Sequence, residues 1–120
     1  QAGELQNHTG IACRVSISPR NITINSAIAT ALFRIAQEAL TNVVRHAQAS
    51  RVEITLRKRD NRLLLRVKDN GRGITTEKLS DSNSLGLMGM RERLLHWNGE
   101  VKIRGVKGKG TTVTAIVPLS

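Results

Sequence analysis

The chain has 120 residues, 39% apolar and 23% charged, with a formal net charge of +10. That length supports one core rather than two, so residues 1–120 read as a single domain of globular composition. No apolar run approaches the ~18 residues of a membrane span, and Gln1-Ala2-Gly3-Glu4 has neither part of a secretory signal. The missing initiator Met suggests a piece of a longer or processed protein. Cys13 is alone, which excludes an intrachain disulfide and fits a reducing compartment. Within Ile11-Ala12-Cys13-Arg14-Val15 it reads as a small buried strand residue, not a nucleophile.

Nineteen Lys and Arg raise the question of a nucleic-acid surface. Two features argue against one. Phe33 and Trp97 are the whole aromatic complement, too few for base stacking. The basic residues are also dispersed and follow strand alternation.

In chain order, Ile11 to Ile17 alternates loosely and predicts a strand stopped by Pro19. Asn25 or Ser26 can cap a long amphipathic helix in which Ile28, Leu32, Ile35, Ala36, Ala39 and Val43 repeat at helical spacing up to about Ala47. Val52, Ile54 and Leu56 then alternate with Glu53, Thr55 and Arg57. Asp60-Asn61 signals a hairpin into Leu63, Leu65 and Val67, interleaved with Leu64, Arg66 and Lys68. Residues 74–85 are polar and aperiodic and read as a mobile loop. Leu87, Met90, Leu94 and Leu95 define a second long helix ending near Asn98-Gly99. Strands from Glu100 to Val106 and Thr111 to Pro118, joined by a Gly-Lys-Gly turn, finish the chain. The economical architecture is α+β: one sheet with helices on one face. Its other face would carry Arg57, Arg66, Lys68, Lys102 and Arg104 into solvent.

Two constellations carry chemistry. At ~100° per residue, Glu38, Asn42 and Arg45 fall within about 60° of one another on the flank of the first helix. His46 lies between them and the apolar stripe. A single amide oxygen suits magnesium whose other ligands are phosphates and waters, and Arg45 offers donors to phosphate oxygens. Alone, this stripe is also what an ordinary helix flank with a Glu–Arg pair presents. Asp69-Asn70-Gly71-Arg72-Gly73 ends a strand. Asn-Gly is a turn dipeptide, but the second glycine suggests close approach by a ligand. A carboxylate there can accept from the exocyclic amine of adenine and would repel the carbonyl of guanine. Gly86-Leu87-Met88-Gly89-Met90 opens the second helix with amides free for an anion, Leu87 and Met90 doubling as core contacts. Gly108-Lys109-Gly110-Thr111 fails as a P-loop and as a dinucleotide fingerprint, and reads as a hairpin turn.

The order and spacing of these segments resemble the ATP-binding domain of sensor histidine kinases, within the superfamily of gyrase, the heat-shock chaperone ATPase and the mismatch-repair ATPase. Ala39 to Ala47 resembles the N box, Asp69 to Gly73 the G1 box, Gly86 to Met90 the G2 box, and Gly108 to Thr111 the final glycine-threonine turn. Gln37-Glu38-Ala39-Leu40-Thr41-Asn42, with Gly86-Leu87-Met88-Gly89-Met90-Arg91-Glu92-Arg93, resembles the nitrate-sensor-like branch in particular. The resemblance covers residues 10–119. It implies a two-layer α/β sandwich of the Bergerat type, with one mixed sheet.

Carried over residue by residue, the resemblance makes Asn42 the Mg2+ ligand and Arg45 a phosphate contact. His46 would pack by the adenine and Asp69 would bind its amine. Gly71, Gly73, Ile74, Gly86, Leu87, Gly89 and Met90 would shape the ATP pocket and its lid, residues 74–85, with Thr111 near the base. Glu38 matches a position where gyrase-like relatives place a water-activating carboxylate; orienting Asn42 or the metal waters is its expected role here. The departures are a short loop without a Phe-rich box, and Val106-Lys107 where Ser and Pro are usual.

The implied activity is transfer of the γ-phosphoryl group of ATP to a histidine. None of His8, His46 or His96 sits in the expected two-helix context, so the acceptor belongs to a dimerisation segment outside these residues. The implied partners are those helices and a response regulator with a helix-turn-helix output domain, with no direct nucleic-acid contact. The parent would be a homodimer and this piece a monomer, cytoplasmic, with the parent either soluble or anchored in the inner membrane. The rivals are an anti-sigma-factor serine kinase of the same fold, which the Gly-Met-Arg-Glu-Arg run disfavours, and a basic nucleic-acid-binding module.

Overall fold

The computed structural model describes residues 11–20, 22–44, 49–72 and 87–119. Strand β1 spans Ala12–Ser18, helix α1 Ser26–Asn42, strands β2 and β3 Arg51–Arg59 and Arg62–Asp69, helix α2 Leu87–Leu94, and strands β4 and β5 Glu100–Val106 and Gly110–Pro118. The strands form one sheet in the order β1-β2-β3-β5-β4, with β1 parallel to β2 and every other pairing antiparallel. This is the expected mixed sheet of an α+β fold, with both helices on one face. No helix among the described residues is long and apolar enough to cross a membrane.

Local chemistry sets the boundaries. Asn25 caps α1: its side-chain Oδ1 accepts the N–H of Ala27 at 2.8 Å and of Ile28 at 3.3 Å, which satisfies two otherwise orphaned donors. Ile28, Leu32, Ile35, Ala39 and Val43 are buried, as their spacing requires, and Ala36 is half-buried. The expected helix end near Ala47 lies outside the described residues. Asp60 and Asn61 join β2 to β3 with φ of 53° and 61°. Positive φ at both central residues matches the twist of a two-residue hairpin, and Asp and Asn tolerate it.

The core lies between the helices and the sheet. Val52, Leu63, Leu65, Val67, Val101, Val113, Ala115 and Val117 are buried from the sheet side, against Ile35 of α1 and Met90 and Leu94 of α2. Arg57, Arg66, Lys68, Lys102 and Arg104 stand exposed on the opposite face, as strand alternation predicts.

The second helix departs from expectation. It is eight residues long and gives way to a tighter 3-10 turn at Leu95–Trp97. Asn98 is left-handed, with φ 57°, and the Gly99 N–H donates to the Leu94 carbonyl at 2.9 Å. Asn-Gly thus ends the helical segment at the expected place, with its last turn 3-10 and not α. Leu95, expected on the apolar stripe, is 67% exposed as a result, whereas Leu94 is fully buried. Cys13 is half-buried against the core, and burial pushes its thiol up. That direction agrees with a structural cysteine, not an activated one.

Candidate functional site

The end of β3 is the most organised polar region of the described chain. Asp69 is buried there. Its Oδ1 accepts the backbone N–H of Gly71 at 2.8 Å and of Thr111, on β5, at 3.3 Å. Both bonds fall on one oxygen, so Oδ2 has no partner among the described residues. Burial raises the carboxyl above its ordinary range, opposed by the two N–H groups. Thr111 Oγ1 is buried without a hydrogen-bond partner. A carboxylate oxygen and a hydroxyl, held together by the Thr111 N–H, are therefore left for an outside partner. Leaving the buried Thr111 hydroxyl unmet costs about 1–3 kcal/mol, which a ligand with a donor and an acceptor on one edge would recover.

Glycine makes this arrangement possible. Gly110 has φ +123°, and a Cβ built on it would lie 1.9 Å from the Asp69 carbonyl oxygen. No other residue fits where β5 crosses so near the backbone of Asp69. Gly108, in the hairpin turn with φ +77°, donates its N–H to the Arg72 carbonyl at 2.8 Å. The turn thereby holds the segment that follows Asp69. Asn70 fastens that segment on its other side. Its Oδ1 accepts the N–H of Ser50 at 3.0 Å and of Arg51 at 2.9 Å, and its Nδ2 donates to Ser50 Oγ at 3.0 Å.

A second feature lies between the helices. Arg34, Gln37, Glu38 and Thr41 of α1 face Gly89, Met90 and Arg93 of α2 across a groove of about 430 Å³. Arg34 Nη1 donates to Gln37 Oε1 at 3.4 Å. A Cβ at Gly89 would meet nothing within 4 Å, so the fold does not need glycine there, and its absence of a side chain keeps the groove open. Asn42, one turn beyond Glu38, is a buried polar residue at the end of α1.

The sequence-derived residues thus fall into groups. Asp69, Gly71 and Thr111 are hydrogen-bonded together. Glu38, Gly89 and Met90 line the groove, Met90 also being core, with 1% exposure. Arg45, His46, Gly73, Ile74 and Gly86 lie outside the described residues, as does the 74–85 segment, and Leu87 is described by its backbone alone. Sequence reasoning missed Arg34, Gln37, Arg93, Asn70 and the steric role of Gly110. The first two had a readable signal. Arg34 lies four residues before Glu38, on the same flank, and Gln37 lies three residues after Arg34, within reach of its guanidinium.

Comparison with known proteins bears on the family and the fold. Residues 27–120 match the family model for histidine kinase-, DNA gyrase B-, and HSP90-like ATPases. The chain belongs to that family. The sensor histidine kinase MctS of Rhizobium johnstonii is 40% identical over 114 residues, 93% of this chain and 24% of the relative. The sensor histidine kinase LiaS of Bacillus subtilis is 39% identical over 100 residues, 83% of this chain and 28% of the relative. The chain thus spans about a quarter of the length of these relatives. Among solved structures, the histidine kinase domain of the blue-light activated kinase of Erythrobacter litoralis superposes with a TM-score of 0.74 at 25% identity, covering 98% of this chain and 61% of that one. The catalytic domain of histidine kinase ThkA, at 15% identity and TM-score 0.73, covers 98% of this chain and 84% of that one and shares the fold. Within the family, this chain is similar to the ATPase-type domains of sensor histidine kinases.

Proposed function

We propose that this domain binds Mg-ATP and donates the γ-phosphoryl group to a histidine on a dimerisation segment of the same parent protein, outside these 120 residues. The observation that carries the reading is the pair of unmet groups at the end of β3, Asp69 Oδ2 and Thr111 Oγ1. An adenine edge offers an amine donor next to a ring-nitrogen acceptor, the complement of a carboxylate oxygen beside a hydroxyl. Guanine presents a carbonyl oxygen in place of the amine and would face the carboxylate with like polarity.

The phosphate chain is assigned to the groove side. Arg34 and Arg93 supply positive charge there and Gly89 leaves room, and Arg45 is assigned to the same phosphates from its place in the sequence pattern. Among the described residues no three His, Cys, Asp or Glu side chains gather around one point. Asn42 and Glu38, hard oxygen donors one turn apart, fit an ion held largely by phosphates and water. When bound, Mg2+ would neutralise phosphate charge. Asn42 would give it an amide oxygen and Glu38 would orient its waters. His46 is assigned to the adenine face, with Gly71, Gly73, Ile74, Gly86 and Leu87 forming the pocket wall and lid. In this scheme the domain works by positioning and charge neutralisation, the nucleophile coming from elsewhere. The further partner is a response regulator with a helix-turn-helix output domain, and the parent is a homodimer.

Two experiments test the reading. Calorimetric titration with ATP and magnesium should give saturable binding, and the same titration with GTP should give none. With radiolabelled ATP, the domain alone should take up no acid-labile label, while the parent's dimerisation segment supplied in trans should be labelled slowly, at its lowered effective concentration. Equal affinity for both nucleotides would overturn the adenine assignment. Acid-labile label on His46 would overturn the donor-only role.

A further inference from the structure

The sheet face turned away from the helices has a charge distribution that nucleotide binding does not use. Besides the five basic residues named above, Arg14, Arg51, Arg59 and Arg62 are exposed on it. Nine cations therefore stand against three carboxylates, Glu53, Glu100 and Asp60 of the β2–β3 turn, and Glu100 already lies 3.9 Å from Lys102 Nζ. The strand register brings three of the arginines together at one end. Arg59 and Arg62 are directly opposite each other on β2 and β3, an arrangement that repels across an antiparallel pair. Arg57, Leu64 and Ile116 form the neighbouring cross-strand row. Together with Asp60 they line a cleft of about 220 Å³ that combines two aliphatic side chains with three guanidinium groups and one carboxylate. No ion pair among the described residues engages Arg57, Arg59 or Arg62.

We propose that this face is a docking surface for an acidic segment of a partner protein. One aliphatic side chain of that segment would seat on Leu64 and Ile116, and flanking carboxylates would pair with Arg57, Arg59 and Arg62. Charge complementarity is the first argument: a surface this lopsided attracts and steers an acidic partner. The choice of cation is the second. Seven of the nine are arginine, whose planar fork grips a carboxylate with two parallel bonds and which is enriched at protein interfaces where lysine is depleted. A bilayer surface draws on lysine and arginine alike and has no side chain to place against Leu64 and Ile116. Nucleic acid would want stacking platforms, and neither Phe33 nor Trp97 lies on this face. The candidate nucleotide site is built from the helices and the end of β3, so docking here leaves the groove between α1 and α2 open.

The test uses a labelled peptide of Asp and Glu residues around one central Leu, titrated by fluorescence anisotropy. Competitors are duplex DNA and phosphatidylcholine vesicles doped with phosphatidylglycerol. The triple variant Arg57→Lys, Arg59→Lys, Arg62→Lys keeps the charge and removes the forks, and all three positions are exposed. Peptide affinity should fall about tenfold in this variant, the loss of roughly one good bidentate contact, with its melting curve unchanged. Replacing the peptide's Leu by Ser should also weaken binding to the unaltered domain, a result that needs no protein variant. Undiminished affinity in either arm would reduce the surface to unspecific attraction and overturn the proposal. Tighter binding to the vesicles or the DNA than to the peptide would overturn it in favour of that partner class.

Discussion

Asp69→Asn separates binding from folding. Asn keeps an oxygen where Oδ1 now accepts the N–H groups of Gly71 and Thr111 at 2.8 and 3.3 Å, so the internal bonds survive. It replaces Oδ2 with an amide NH2, which would meet the adenine amine donor to donor. Loss of a buried charge-assisted hydrogen bond in a binding site costs about 2–5 kcal/mol, roughly 30- to 4000-fold in affinity. Stability should move the other way with pH. Burial holds the Asp69 carboxyl above its ordinary 3.8, so just above that pH the folded state binds more protons than the unfolded one. The stability contributed by this group is therefore fully present below 3.8 and declines as pH rises through the interval up to the folded value. The Asn variant lacks the titrating group and should show a flatter profile, with no loss of stability at neutral pH. Calorimetry with ATP and magnesium gives the affinity, and denaturant melts across acid to neutral pH give the profile. A folded variant with unchanged ATP affinity would refute the adenine assignment. A variant unfolded at neutral pH would show that the carboxylate is structural.

Gly110→Ala should destabilise the domain by about 3 kcal/mol or more, because it adds left-handed strain and drives a Cβ into the Asp69 carbonyl; a melt within 1 kcal/mol of the parent would contradict the packing described. Gly89→Ala should do the opposite to stability, raising it by about 0.5–1 kcal/mol as an exposed helical glycine replaced by the best helix former, while weakening nucleotide binding by narrowing the groove; unchanged ATP affinity would remove Gly89 from the site. Asn70→Ala should cost about 1–2 kcal/mol through its lost bonds to Ser50 and Arg51, and amide exchange should rise at Ser50 and Arg51 first. Uniform loss of protection across the sheet would mean that Asn70 has no local role.

The parts of this fold legible in the sequence are those fixed by near neighbours. Alternation in β2 and β3, the Asp60-Asn61 turn and the Asn25 cap each depend on residues within a few positions, and each forms where the pattern puts it. The second helix was legible in position but not in the form of its last turn. The Asn98-Gly99 stop signal was read, and the unwinding of the preceding turn was not, because leucine at 95 fits an apolar stripe whether or not the turn beneath it stays helical. Deciding that requires knowing that Leu94 already fills the core at that level.

The site divides along the same line. Asp69 was identifiable as a strand-end carboxylate among glycines, but the use of one oxygen internally and the freeing of the other depend on Thr111, 42 residues away. Likewise Gly110 reads as a turn glycine until β5 is placed against β3; only then does its missing Cβ become the condition for the Asp69 backbone to lie where it does. The groove shows the same limit from the other direction. Arg34 is four residues from Glu38 and three from Gln37, neighbours that spacing reveals, yet that flank could have faced water. What makes it a wall is α2 packed alongside, bringing Arg93 opposite. A periodic pattern specifies which face of a helix is apolar; it cannot specify which polar flank acquires a neighbour. Residues whose role depends on that neighbour therefore come into view only with the tertiary fold.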